Sequence, residues 1–122
     1  MTYELNIIAA EDDLVSANSM KRILEEKKCK IEVVSTGEEL LQKLTSEHDL
    51  VLLDLELPGM DGLEVAKKIR ENNSVPIVAL TAHQEKETVQ LARQIGINGF
   101  LTKPLSPHKC TLLLNDFKSK RK

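Results

Sequence analysis

Tryptophan is absent from this chain of 122 residues, and it contains one tyrosine, two phenylalanines and two cysteines. Its longest apolar runs are only a few residues, as in Leu50-Val51-Leu52-Leu53, far short of the roughly 20 that a membrane-spanning helix needs. The start, Met1-Thr2-Tyr3-Glu4, lacks both the basic region and the apolar stretch of a secretory signal. Cys29 and Cys110 stand far apart, without metal-ligand spacing or the density of a disulfide framework, and read as small packing residues. Neither charge sign dominates. The 17 basic and 19 acidic side chains leave a net charge of −2, which on charge alone excludes a nucleic-acid-binding domain. The ending Lys118-Ser119-Lys120-Arg121-Lys122 is locally basic and reads as a solvated tail. What is present, 41% hydrophobic and 30% charged residues, suits one globular core and is too apolar for disorder. The expectation is a single cytoplasmic domain over 1–122, with its core at about 4–118.

No linker, low-complexity tract or repeat divides the chain, but short apolar runs alternate with longer segments of helical spacing. The runs at 5–10, 31–34, 50–53, 76–80 and 99–101 are too brief for helices and rich in Ile, Val and Leu. Between them lie helical stripes: Leu14, Ala17, Met20, Ile23 and Leu24; Leu40, Leu41 and Leu44; Leu63, Val65, Ala66 and Ile69; Val89, Leu91, Ala92 and Ile95. Cys110, Leu113, Leu114 and Phe117 form the last. Punctuation agrees: Thr36-Gly37-Glu38-Glu39 reads as a capping box, Asp61 as a second cap, and Ser106-Pro107 as a cap followed by proline at the first helical position. Gly96 marks the end of the fourth helix. Five strand–helix units predict an α/β fold with a doubly wound parallel sheet, which binds ligands beyond the carboxyl ends of its strands.

Chemistry-bearing residues stand at those ends. Glu11-Asp12-Asp13 follows the first strand, Asp54 the third, Thr81 the fourth and Lys103-Pro104 the fifth. If the first and third strands are neighbours, about 5 Å apart, Glu11, Asp12 and Asp54 converge. Clustered carboxylates repel unless a proton or cation intervenes, and Mg²⁺ suits a site of few carboxylates plus a phosphate oxygen; Mn²⁺ is the substitute. A hydroxyl at Thr81 and an ammonium at Lys103 suit a phosphoryl group on the side away from the metal. A carboxylate can also serve as the nucleophile, which suggests phosphoryl transfer onto Asp54.

With those residues in place, the sequence resembles the receiver domain of two-component response regulators over nearly its whole length. The matching stretches are Ile7-Ile8-Ala9-Ala10-Glu11-Asp12-Asp13, Val51-Leu52-Leu53-Asp54-Leu55-Glu56-Leu57-Pro58-Gly59-Met60-Asp61-Gly62, Pro76-Ile77-Val78-Ala79-Leu80-Thr81-Ala82 and Gly99-Phe100-Leu101-Thr102-Lys103-Pro104. The resemblance implies a flavodoxin-like five-stranded sheet of order 2-1-3-4-5. It implies that Asp54 is the phosphoacceptor, taking its phosphoryl group from a phosphohistidine of a histidine kinase or phosphotransfer protein. Asp12, Asp54 and the backbone carbonyl of Glu56 would bind Mg²⁺, with Glu11 acting mainly through a metal-bound water and Asp13 outside the site. Lys103 would pair with Asp54 at rest, and its bond to Pro104 would be cis. Thr81 and Phe100 would form the switch, which acts on the face of helix 4, strand 5 and helix 5 to change the binding of a downstream protein effector. Many relatives carry Tyr at the Phe100 position, so here the readout rests on packing. Glu56 and His83 match positions that tune the lifetime of the phosphoryl group. Self-phosphotransfer and slow autodephosphorylation make this a switch rather than a dedicated enzyme.

Other readings compete. Glu11-Asp12-Asp13 also fits acids favoured at a helix start, and Lys103 alone fits a solvated surface lysine. His48, His83 and His108 show no metal spacing and read as surface histidines. A phosphatase of the haloacid-dehalogenase type would use Asp54-Leu55-Glu56, but its paired acids come later in the chain than Glu11-Asp12 does. A flavin or nucleotide module needs a Gly- or Ser/Thr-rich loop after the first strand, where this chain carries acids. A constitutive interaction module would keep the fold and dispense with Asp54, Thr81 or Lys103. Two settings fit the chain: a stand-alone regulator, or a receiver cut from a larger protein such as a hybrid kinase anchored at a membrane. The domain itself is expected to contact neither membrane nor nucleic acid.

Overall fold

The computed structural model describes residues 5–120, with side chains over 5–117. The elements are β1 (Asn6–Ala10), α1 (Leu14–Glu26), β2 (Lys30–Val34), α2 (Gly37–Lys43), β3 (Leu50–Asp54), α3 (Gly62–Arg70), β4 (Ile77–Thr81), α4 (Lys86–Ile95), β5 (Gly99–Thr102) and α5 (Pro107–Lys120). All pairings are parallel, in the order β2-β1-β3-β4-β5. The predicted sheet and its order are therefore correct, with strand bounds shifted by about one residue. The starting residues 1–4 and the side chains of the basic end 118–122 lie outside the described residues.

Strand alternation sends successive side chains to opposite faces and builds two cores. Ile7, Ala9, Leu50, Leu52, Val78 and Leu80 pack against Met20 and Leu24 of α1 and Cys110, Leu113 and Leu114 of α5. Ile8, Ala10, Val51, Leu53, Ile77 and Ala79 pack against Leu40 of α2, Val65, Ala66 and Ile69 of α3 and Ala92 of α4. Every residue of β3 and β4 is buried, as strands covered on both faces require. Both cysteines are buried packing residues, and burial pushes the Cys110 thiol above its ordinary pKa.

The caps form at the residues read, except that the return bond of the capping box goes to the residue before the cap. Thr36 Oγ1 accepts the Glu39 N–H at 3.1 Å, while Glu39 reaches back to the Ser35 N–H at 3.3 Å. Asp61 accepts from Glu64 N–H at 3.0 Å and Ser106 from Lys109 N–H at 3.2 Å. Gly96 ends α4 at φ 115°, a left-handed conformation that favours glycine.

Three expectations need correction. Leu14 fits the apolar stripe of α1 but is 72% exposed: it is the first residue of the helix, whose buried residues begin at Met20. Leu91 is exposed as well, leaving Ala92 as the buried residue of α4. His48 is no surface histidine: its side chain is 8% exposed, with Nδ1 accepting the Thr45 N–H at 3.1 Å and Nε2 3.8 Å from Glu32. Local hydrogen bonding to the turn after α2 draws the ring inward.

A tie that the sequence does not announce joins α3 to the end of α4. Arg70 donates to Gly96 O from Nε at 3.1 Å and Nη2 at 2.9 Å, to Asn98 Oδ1 at 2.9 Å and to Asn73 O at 3.0 Å. At the other end of the sheet, α3 starts hard against β3. A Cβ on Gly62 would lie 2.6 Å from Leu55 Cα and 2.7 Å from Asp54 O, both backbone atoms with no room to yield. Gly62→Ala should therefore destabilise the fold by about 1–3 kcal/mol, read from the urea midpoint, whereas a midpoint equal to wild type would show that the α3 start can give way.

Candidate functional site

The strand order reverses between β1 and β3, and both strands end at this switch point in register, Ala10 beside Leu53. The residues that follow are carried into one crevice. Glu11 is 3% exposed, its N–H bonded to Val34 O at 2.9 Å, so backbone pairing continues past β1 and draws a carboxylate inside. Asp12 is exposed at the rim. Asp13 is the α1 cap, its carboxylate accepting the Ser16 N–H at 2.9 Å, and that hydrogen bond holds it below the ordinary Asp range.

Asp54 ends β3 at 2% exposed. The Leu55 N–H still pairs with Leu80 O at 3.0 Å, so the strand is anchored up to the point where the chain turns. Asp54 Oδ1 accepts the Glu56 N–H at 2.9 Å, which fixes the carboxylate plane and presents Oδ2 to Lys103. Carboxylate oxygens of Glu11, Asp12 and Asp54 lie within 4.8 Å of one another, the convergence expected of these three residues.

Lys103 supplies the opposing charge. Its Nζ lies 2.9 Å from Asp54 Oδ2 and 3.0 Å from Glu11 Oε1. The pairing with Asp54 was anticipated; the second contact, with Glu11, was not. The better-directed hydrogen bond goes to Asp54, and the buried Glu11 Oε1 is left with the Lys103 ammonium as its counter-charge. Glu11 Oε2 accepts the Asp13 N–H at 3.1 Å. Burial raises the Glu11 pKa, Lys103 and the Asp13 N–H pull it back, and the Asp54 carboxylate adds to the rise. For Lys103, burial pulls the pKa down, but Asp54 and Glu11 outweigh it and hold the ammonium above its ordinary value. Lys103 is joined to Pro104 by a cis peptide bond, as the resemblance implied.

Thr81, buried at the end of β4, has its hydroxyl engaged elsewhere: it donates to His83 O at 2.7 Å and accepts the His83 N–H at 3.2 Å. Its carbonyl accepts the Lys103 N–H at 2.8 Å, linking β4 to the Lys103 loop. Phe100 is half-buried on β5, beside Ala79, and packs on the α2–α4 side of the sheet. His83 and Glu56 are exposed near the crevice. A cleft of about 140 Å³, lined in part by Glu11, Val15, Lys103 and Leu105, opens between α1 and the loop after β5. A larger hollow of about 570 Å³ lies at the opposite ends of the strands, lined in part by His48, Asp49 and Asn73, away from the carboxylate cluster.

The donor set fits a divalent cation: three carboxylates face one shared ammonium, and the buried Glu11 Oε1 has that ion pair but no directed hydrogen bond. Hard oxygen ligands at the mouth of a parallel sheet, flanked by a lysine and a hydroxyl, are also the parts that phosphoryl chemistry uses.

Comparison with known proteins agrees. The model of the response regulator receiver domain matches residues 7–115. Among curated proteins, the transcriptional regulatory protein ResD of Bacillus subtilis is 34% identical over 112 residues, covering 91% of this chain and 47% of ResD. The aerobic respiration control protein ArcA of Escherichia coli is 35% identical over 109 residues, covering 88% of this chain and 45% of ArcA. The chain thus spans about half the length of the curated relatives it matches. Among solved structures, a two-component response regulator from Clostridium difficile superimposes with a TM-score of 0.88 at 28% identity, covering 96% of this chain and 97% of that one. The receiver domain of sensor histidine kinase PA1611 from Pseudomonas aeruginosa, solved with a magnesium ion coordinated in its active site cleft, gives 0.85 at 26% identity, over 94% and 98% of the two chains. No helix among the described residues is long and apolar enough to cross a membrane. With its fold, its carboxylate cluster and its matched residues in agreement, this chain belongs to the response regulator receiver domains of two-component signalling.

Proposed function

We propose that the chain, taken as one receiver over 1–122, is a phosphoacceptor switch in which Asp54 takes a phosphoryl group from a phosphohistidine of a histidine kinase or phosphotransfer protein. The observation that carries this reading is the setting of the Asp54 carboxylate: 2% exposed, one oxygen on the Glu56 N–H, the other on Lys103, beside Glu11 and Asp12. A carboxylate so fixed presents a nucleophile in one orientation. An Asp54 oxygen attacks phosphorus, the P–N bond breaks, and its electron pair passes to the imidazole nitrogen of the donor. Lys103 moves from the carboxylate to the phosphoryl oxygens and offsets the charge that accumulates there.

Asp12, Asp54 and the carbonyl of Glu56 would hold Mg²⁺, with Glu11 acting on it through water and Mn²⁺ able to substitute. When bound, the ion supplies positive charge to the phosphoryl oxygens during transfer. Asp13 is left to its capping role.

The switch starts from Thr81, whose hydroxyl leaves the His83 backbone for the new phosphoryl oxygen, while Phe100 turns into the vacated space. This biases two conformations of the face built from α4, β5 and α5. The looseness of that face supports the reading: α4 buries only Ala92, its cap Glu85 makes no side-chain capping bond, and all of β5 is half-buried. Glu56 and His83, both exposed, would influence water access to the crevice and so the phosphoryl lifetime. The output is a change in affinity for a protein effector. ResD is named as a transcriptional regulatory protein, so for a longer protein of this kind a transcriptional output is the reading; the receiver's own charge of −2 argues against its binding DNA directly.

Two measurements test this. Incubation with acetyl phosphate and Mg²⁺ should add one phosphoryl group to the intact mass and none to Asp54→Asn; an addition of equal size in that variant would move the acceptor elsewhere. Mg²⁺ at about 100 times its dissociation constant should stabilise the fold by roughly 2.7 kcal/mol in thermal melts, and Asp12→Asn should lose most of that gain. The same gain from KCl at matched ionic strength would mean charge screening rather than a metal site.

A further inference from the structure

Lys109 has no role in the chemistry above, yet its ammonium is fully engaged at the base of the site. Nζ donates to Thr102 O at 3.0 Å and to Pro104 O at 3.2 Å, and lies 3.5 Å from Thr102 Oγ1. Three acceptors match the three protons of an ammonium group. The two carbonyls are those of the residues on either side of Lys103, so the grip spans the residue whose side chain reaches Asp54 and Glu11.

The anchor for this grip is itself fixed. Lys109 lies in the first turn of α5, its N–H bonded to the Ser106 cap at 3.2 Å, and the next residue, Cys110, is wholly buried in the α1–α5 core. A cation in a first turn faces the positive end of the helix dipole, an unfavourable place for it. The first turns of α2, α3 and α4 carry acids, and those of α1 and α5 carry none. The carbonyls at 102 and 104 are what offset that penalty, and they are also the groups that define where the Lys103 side chain starts. On the other side of the loop, Thr81 O holds the Lys103 N–H at 2.8 Å. The Lys103 backbone is thus clamped between β4 and α5, and a four-carbon stem that would otherwise swing is launched from a fixed point.

We propose that Lys109 is a positioning residue for phosphoryl transfer: by gripping the carbonyls at 102 and 104 it holds the Lys103 ammonium between Asp54 and Glu11. The proposal rests on the phosphoacceptor reading for its effect on rate, but not for its effect on Lys103 itself. A displacement of about 1 Å at a charge-stabilising group costs up to roughly 100-fold in rate.

The test compares wild type, Lys109→Met and Lys109→Arg in the full chain. The first readout needs no phosphodonor: the ¹⁵N-resolved ammonium signal of Lys103, assigned by its loss in Lys103→Met. The second is the rate of phosphoryl addition from acetyl phosphate with Mg²⁺. In Lys109→Met the Lys103 signal should broaden or vanish and the maximal rate should fall by roughly 10- to 100-fold, while Lys109→Arg should restore most of both. A Lys103 signal unchanged in Lys109→Met overturns the proposal whatever the rate does, and so does an unchanged rate in a protein that accepts phosphate. If wild type accepts none, the phosphoacceptor reading fails and the Lys103 signal still decides the clamp. Should Met at this position unfold the chain, Lys109→Gln carries the same comparison.

Discussion

The Lys103 ammonium, 2.9 Å from Asp54 and 3.0 Å from Glu11, is one positive charge set against three carboxylates whose oxygens lie within 4.8 Å of one another. Like charges a few ångströms apart near a protein surface repel by several kcal/mol, so a free chain would never hold this arrangement. The sheet enforces it. β1 and β3 run parallel and end in register, their side chains are packed on both faces, and backbone pairing continues through Glu11 and Leu55. Glu11 cannot swing out to water, because its side chain is 1% exposed and one oxygen holds the Asp13 N–H. The imbalance surfaces as a raised pKa at Glu11, driven first by burial, and as a single ammonium shared between two buried carboxylates. A second cation is the simplest relief, and the rest of the molecule is the frame that makes relief necessary.

Much of that frame is legible in the sequence because it rests on local rules. Short runs of Ile, Val and Leu bounded by Thr36, Asp61, Ser106 and Gly96 give strands, caps and stops, and each cap bond forms. The site residues were legible for a related reason: in a parallel sheet, the residue after each strand falls at one end, so Asp54, Thr81 and Lys103 could be placed together without coordinates. What could not be read depends on contacts distant in sequence. Leu14 fits the apolar spacing of α1, but spacing does not reveal that burial along this helix begins only at Met20. Arg70 looks like any basic residue in a last helical turn; its partners Gly96 and Asn98 are 26 and 28 residues away. His48 is drawn inward by a turn that composition does not mark. Lys109 did leave a trace, a lysine at the unfavourable end of a helix dipole, but its acceptors are loop carbonyls and carry no sequence signal.

Thr81 is the junction at which the proposed chemistry would become a change of shape. Its carbonyl secures the Lys103 backbone, and its hydroxyl is closed on His83. Moving that hydroxyl to a phosphoryl oxygen exchanges a neutral hydrogen bond of about 0.5–1.5 kcal/mol for a charge-assisted one of about 1.5–3 kcal/mol. The gain is on the order of 1 kcal/mol. Reversing a two-state equilibrium from 1:99 to 99:1 takes about 5.5 kcal/mol, so the hydroxyl alone cannot drive a decisive switch. The resting equilibrium must therefore lie near balance, or Lys103 must supply much of the difference as it exchanges carboxylates for phosphoryl oxygens. The structure favours a near-balanced face: α4 buries only Ala92 and lacks a side-chain cap at its start. Its far end is different, since Arg70 grips the Gly96 carbonyl twice and ties it to Asn98. In the proposed switch, a helix loose at the end beside Thr81 and clasped at the other would move as a lever rather than by melting. A small push at the proposed phosphorylation site would then displace a surface that a partner could read.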